Sequence, residues 1–147
     1  MSKTDRAVEC FKKGFNCSQA IFSVYGENFG VDNEMAYKIA SGFGAGMGRL
    51  CETCGAVTGA FMVIGLQYGH SSHDDKDNKE KTYTLVQEFT RRFKERNQSI
   101  KCEDLLGTHL LTGDNEKAVM RVKAICPKMV RDAAEILEQL LEKELYL

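Results

Sequence analysis

The chain carries apolar residues at three- and four-residue spacings along most of its length, and it contains a single proline, Pro127. Such spacing places apolar side chains on one face of an α-helix. No segment alternates apolar and polar residues for long enough to form a half-buried strand. The pattern therefore predicts an all-α fold.

We predict a single-domain bundle of six or seven helices that takes up residues 1–147. The segment from Cys54 to Gly69 is apolar on nearly every face, which indicates a buried central helix. The other helices are expected over 4–14, after Asn16 to about 30, from 32 to the glycine-rich turn at 42–48, through 83–93, over 115–124, and from Pro127 onwards, with a short helical turn near 102.

Charge and hydropathy exclude several classes of partner. Twenty basic and 21 acidic residues are interspersed and give a net charge of −1, without the basic patch of a nucleic-acid-binding protein. The longest apolar run, 56–66, is shorter than the roughly 20 residues that a membrane span requires. The first residues lack the apolar core of an export signal. We therefore expect a cytoplasmic protein.

Cysteine is the unusual residue type in this composition. The six cysteines are Cys10, Cys17, Cys51, Cys54, Cys102 and Cys126. In a reducing cytoplasm, cysteines more often serve as reactive thiols or metal ligands than as permanent disulfides, and a chain of this length needs no covalent staples. Cys10 lies on the apolar side of the first predicted helix, so we expect a buried, inert thiol there.

The stretch GFGAGMGRLCETCGAVTGAF, residues 42–61, combines glycines with a Cys-x-x-C pair. A nucleotide-binding glycine loop must follow a strand, and none is predicted here. We expect Gly42, Gly44, Gly46 and Gly48 to end the third helix and to allow positive φ angles in the turn.

Cys54 is the first candidate for a reactive thiol. With Thr53 as the expected N-cap, Cys54 occupies the first turn of the central helix, where unpaired N–H groups and the helix dipole stabilise a thiolate. We expect Cys54 to be the attacking thiol, and Cys51 or another cysteine close in space to resolve the mixed disulfide.

Three further cysteines are expected at helix N-termini. Cys17 follows the N-cap Asn16, Cys102 precedes two acidic residues, and Cys126 is expected at an N-cap before Pro127. The shared position predicts lowered thiol pKa values. If the helix ends converge, the thiols form a cluster capable of redox chemistry or metal binding.

Gly55 and Gly59 form a small-residue face at i, i+4 spacing on the central helix. Without side chains at these two positions, another helix, or a ligand such as a cofactor, can approach the backbone closely.

These motifs resemble those of the C_GCAxxG_C_C family of putative redox-active proteins. The resemblance is carried by NCSQA at 16–20, ASGFGAGMG at 40–48, CGAVTG at 54–59, Cys102 with LLG at 105–107, and Cys126. It implies that Cys17, Cys54, Cys102 and Cys126 are the four family cysteines. Thr-Cys-Gly-Ala at 53–56 departs from the Gly-Cys-Ala of the family name, and Cys51 is an addition. Association of family members with transporter loci implies a transporter component or a redox partner protein.

Three functions follow as hypotheses. The first is a thiol oxidoreductase that acts by thiol–disulfide exchange, which needs no cofactor. The second is a zinc or iron–sulfur protein whose ligands are Cys17, Cys54, Cys102 and Cys126. The third is a structural or scaffold protein with inert cysteines. The sequence leaves the oligomeric state open, and a homo-oligomer is possible.

Overall fold

A computed structural model describes residues 1–145, which contain seven α-helices and no β-strand. The all-α prediction is confirmed, and residues 146–147 of the expected domain lie outside the described part. One hydrophobic core takes buried side chains from all seven helices. The helices are α1 Lys3–Lys12, α2 Cys17–Gly26, α3 Asn33–Ala40, α4 Gly55–Tyr68, α5 Lys76–Asn97, α6 Cys102–Leu106 and α7 Asn115–Leu145.

Helix α4 is the buried centre of the bundle, as predicted, and packs against α2, α5 and α7. Its closest neighbour is α2, because a Cβ added to Gly59 would lie 3.0 Å from the Ser18 carbonyl oxygen. The side chains of Val57 and Ala60 are fully buried. Within residues 1–145, none of the helices has both the length and the apolarity that crossing a bilayer demands.

Helix α2 begins with the N-cap that its sequence predicts. The Asn16 side chain accepts the Gln19 N–H at 2.9 Å, and the Gln19 side chain accepts the Asn16 N–H at 2.9 Å, which completes a capping box. A side chain at Gly44 would overlap that of Asn16, so Gly44 allows the α3–α4 connection to pass directly over the cap. The start of α2, and with it Cys17, is thereby fixed in place.

The α3–α4 connection contains a left-handed turn. Residues 45–49, namely Ala45, Gly46, Met47, Gly48 and Arg49, all have φ between 58° and 71°. The positive φ expected at Gly46 and Gly48 is confirmed. It is wrong for Gly44, whose φ is −68°, and for Gly42, which is outside the left-handed region. Non-glycine residues in this region are strained by roughly 1–2 kcal/mol each, so tertiary contacts must hold the turn.

Helix α7 is continuous through Pro127, which corrects the prediction of two separate helices. Ala118, Val122, Cys126 and Met129 form one apolar stripe at three- and four-residue spacings across the proline. Packing of this stripe outweighs the local penalty of an interior proline. Cys126 therefore lies inside a helix and is not an N-cap.

Candidate functional site: a cysteine-lined cavity

Four cysteines line a single cavity of about 590 Å³. Cys17 is the first residue of α2, Cys54 is the N-cap of α4, Cys102 is the first residue of α6, and Cys126 lies within α7. Their exposed fractions are only 5–9%. The convergence that the sequence left open is thus present, although only three of the four thiols belong to helix N-termini.

The rest of the cavity is mainly apolar and carries positive charge. Its lining includes Lys12 and Lys123, both exposed, and contains no carboxylate. Such a space fits a small molecule with an apolar body and a negatively charged group. The principal apolar side chains are those of Phe11, Phe15, Leu105, Leu110, Val122 and Met129.

Gly55 brings the thiols of α2 and α4 together. A Cβ added there would lie 3.1 Å from the Ser18 amide nitrogen and 3.3 Å from the Cys17 Cβ. Gly55 also lines the cavity, so contact with a ligand or cofactor stays a prediction for it. At Gly59 the structure shows the close approach of another helix, because α2 packs against this face and Gly59 lies outside the cavity lining; contact with a ligand or cofactor stays a prediction there too.

Cys17 and Cys126 form an interacting pair on the cavity wall. The Cys17 thiol donates a hydrogen bond to the Cys126 sulfur, which lowers the pKa of Cys126 despite its burial. The same contact, together with burial, raises the pKa of Cys17 well above its usual range. Cys126 is therefore the member of the pair that ionises first.

The expected low pKa of Cys54 is wrong. Burial raises its pKa to about 12, and hydrogen bonds from the backbone N–H groups of Ala56 and Val57 only partly oppose this effect. Cys54 itself, not Thr53, is the N-cap of α4. Burial likewise raises the pKa of Cys102, and Cys51 adds to the shift. In this site desolvation outweighs the helix dipole.

Cys51 and Cys54 of the Cys-x-x-C motif face different surroundings. Thr53 pairs with Lys101 in an isolated antiparallel bridge, and the left-handed φ of 57° at Cys51 changes the chain direction ahead of it. Cys54 lines the cavity, whereas Cys51 is fully buried behind it. The Cys51 sulfur accepts the Leu110 N–H at 3.2 Å and interacts with the Cys102 thiol.

Cys10, the remaining cysteine, is buried as expected and lies outside the cavity. Its Sγ atom is 3.9 Å from the Ser23 Oγ atom.

Among residues 1–145, no group of three or more histidine, cysteine or acidic side chains is arranged to hold a metal ion. Zinc or iron–sulfur ligation by the four cavity cysteines stays a prediction.

The fold and the site together define a helical protein with a buried cluster of cysteine thiols. Residues 15–140 match the profile of a family described as "Putative redox-active protein (C_GCAxxG_C_C)". The chain belongs to this family, and the matched range includes every cysteine except Cys10. No curated protein and no solved structure matches the chain.

Sequence reasoning missed the cavity lysines and the contact between Cys51 and Cys102. It also misplaced Cys126. A signal for that position was present, since Val122, Cys126 and Met129 continue one helical stripe across Pro127. No comparable signal exists for Lys12 and Lys123, because only the folded arrangement of α1 beside α7 brings them to one cavity.

Proposed function

We propose that this protein is a thiol oxidoreductase that exchanges electrons with a small disulfide bound in the cavity. One observation carries the proposal: Cys126, whose pKa is lowered, and its hydrogen-bonded partner Cys17 both line the space in which a ligand would sit. Disulfide exchange of this kind requires a thiolate that attacks and a second thiol close to it that resolves the mixed disulfide.

The reaction would proceed in two steps. The Cys126 thiolate attacks one sulfur of the bound disulfide, forms a mixed disulfide, and releases the first substrate thiol after it takes up a proton. Cys17 then loses its proton and attacks the Cys126 sulfur, which releases the second substrate thiol. The pair Cys17–Cys126 is oxidised by two electrons, and the substrate disulfide is reduced by two.

The cavity lining limits the class of substrate. Its volume of about 590 Å³ suits a small molecule, its apolar walls favour an alkyl or aromatic body, and its two lysines favour a carboxylate or another anion. We propose a small, apolar, negatively charged disulfide. A cytoplasmic location and a reductant protein, which would restore the thiols, are part of the same proposal.

The test maps thiol reactivity on the full-length reduced protein. Brief alkylation with iodoacetamide at neutral pH, followed by peptide mass spectrometry, should label Cys126 before Cys54 and Cys102, because only the thiolate reacts. Mild oxidation with a small disulfide should then produce a Cys17–Cys126 disulfide. The variant Cys126→Ser should lose both signals, whereas the matched variant Cys10→Ser should keep them.

Other results would favour the other hypotheses. First labelling at Cys54, or a Cys51–Cys54 disulfide as the first product, would overturn the assignment of Cys126. Stoichiometric zinc or iron in protein purified without oxygen, with four thiols protected from alkylation, would favour the metal site. Thiols that react only after unfolding would favour the structural role.

A further inference from the structure

We infer that Cys51 and Cys102 form a second redox-active dithiol, which lies behind the cavity and exchanges with it through Cys102. This inference rests on the proposed function and adds a second pair of exchangeable electrons to it. It also assigns a partner to Cys51, which is one of the two cysteines outside the family pattern.

Gly46 establishes how close the two cysteines are. A Cβ added to Gly46 would lie 2.6 Å from the Cys102 Cβ and 2.7 Å from the Cys51 Cα. The Cys102 Cβ and the Cys51 Cα are therefore at most as far apart as these two distances added together. A disulfide requires Cβ atoms about 3.5–4.5 Å apart and Cα atoms about 4.4–6.8 Å apart. With the Cα–Cβ bond of Cys102 added, the two Cα atoms are at most about 6.8 Å apart, which is the upper end of the range for a disulfide.

Backbone hydrogen bonds hold the two segments in this register. The Cys102 N–H donates to the Glu52 carbonyl oxygen at 2.6 Å, and the Glu103 N–H donates to the Cys51 carbonyl oxygen at 3.2 Å. One bond uses the Cys102 N–H and the other uses the Cys51 carbonyl oxygen, so the backbone of each cysteine takes part. The geometry of the pair is therefore set by the backbone as well as by side-chain packing.

The two members have different access to the cavity. Cys102 lines it, whereas Cys51 is fully buried and lies outside its lining. A disulfide in the cavity can therefore reach Cys102 first, and Cys51 is positioned to act as the resolving thiol. Burial raises the pKa of Cys102, so this pair should react more slowly than Cys17 and Cys126.

The second exchange consumes a second molecule of disulfide. Cys102, after loss of its proton, attacks one substrate sulfur and releases the first thiol. Cys51, after loss of its proton, attacks the Cys102 sulfur and releases the second thiol. The products are the Cys51–Cys102 disulfide and two substrate thiols, so two electrons pass from the dithiol to the substrate.

The experiment oxidises the full-length reduced protein with excess 4,4′-dithiodipyridine, a small apolar disulfide, and samples the reaction over time. Non-reducing peptide mapping should find Cys17–Cys126 first and Cys51–Cys102 later. In Cys51→Ser, the thiopyridyl group should remain on Cys102, because the resolving thiol is absent. Cys10→Ser is the matched control, because Cys10 is a buried cysteine outside the cavity lining, and this variant should form both disulfides.

The outcomes separate this inference from the proposed function. Formation of Cys17–Cys126 with free Cys51 and Cys102, or with a Cys51–Cys54 disulfide, overturns the second dithiol and leaves the proposed function standing. Formation of Cys51–Cys102 alone overturns the role of Cys126 and leaves the second dithiol standing. If Cys51→Ser fails to fold, mapping of the wild-type chain still decides between these results.

Discussion

At the scale of single residues, acidity in the thiol cluster depends on the partner of each thiol more than on its place in a helix. Cys54 has the position at which a helix dipole favours a thiolate, yet burial raises its pKa to about 12. Cys126 has no such position, and its pKa falls because Cys17 donates a hydrogen bond to it. Local sequence could predict the first effect, but not the second, which depends on contact between α2 and α7.

The Cys17–Cys126 contact makes a prediction about pH. Cys17→Ala removes the hydrogen-bond donor, so the Cys126 thiolate loses stabilisation and its pKa rises. The pH profile of Cys126 alkylation should therefore move to higher pH, and its rate at neutral pH should fall several-fold. The alkylation rate of each variant, measured from pH 5 to 10 by peptide mass spectrometry, provides the test.

Cys17→Ser supplies the matched control, because its hydroxyl can still donate. It should shift the profile less than Cys17→Ala does. An identical profile in wild type and Cys17→Ala would show that Cys17 has no part in the acidity of Cys126.

At the scale of elements, the left-handed turn at 45–49 is the segment that holds the second cysteine pair together. Gly46 sits directly against Cys51 and Cys102, with no room for a side chain. The sequence predicted a turn with positive φ at this place because glycines recur there. It could not predict that Ala45, Met47 and Arg49 would adopt the same left-handed φ, since their intrinsic preference is the opposite and only tertiary contacts override it.

The turn makes a prediction about stability. Gly46→Ala should lower the free energy of unfolding by about 3 kcal/mol, because the new Cβ combines overpacking with an unfavourable φ. Ala45→Gly, one residue earlier at φ 58°, should raise it by up to about 1 kcal/mol through relief of strain. Urea unfolding followed by circular dichroism measures both changes.

The two substitutions lie at adjacent positions and should change the free energy of unfolding in opposite directions, which provides an internal control for this prediction. Equal stability of Gly46→Ala and the wild type would mean that the close approach of the turn to Cys51 and Cys102 does not exist in solution.

Helix α7 shows the same division between what could and could not be predicted. Its apolar stripe is visible in the sequence, but a proline at a first helical position also favours a new helix start at Pro127. The local penalty of Pro127 is about 3 kcal/mol, which the burial of a few apolar side chains offsets. Tertiary packing, which the local pattern does not reveal, decided the outcome.

At the scale of the whole molecule, the cavity forms only when several helices of the chain pack together. Helices α1, α2, α4, α6 and α7 each contribute to it, and no pair of adjacent helices could form it alone. The fold class and the identities of the four cysteines could be predicted from the sequence. The relative placement of their thiols could not, because it depends on contacts between residues as far apart as Cys17 and Cys126.

The charge of the cavity makes a prediction about substrate choice. Lys123→Gln should slow exchange with 3,3′-dithiodipropionate, which is anionic, by about threefold, the size expected for an exposed charge pair. Exchange with cystamine, a cationic disulfide of similar length, should not slow. Rates are normalised to those of a free thiol, because the two leaving groups differ in intrinsic reactivity.

Lys13→Gln is the matched control, since it removes the same charge from an exposed residue outside the cavity lining. Equal slowing by both lysine variants, or equal slowing toward both disulfides, would contradict a specific role of the cavity charge.

Ionisation of Cys126 has a consequence for turnover. When Cys126 is ionised in the reduced state, the pair contributes one negative charge to a cavity edged by two lysines. Formation of a disulfide removes that charge, so the oxidised cavity attracts anions more strongly than the reduced one. An anionic product would therefore be retained after exchange, and regeneration of the thiolate would help to expel it. Re-reduction of the disulfide would therefore release the product and also restore the reduced form of the protein.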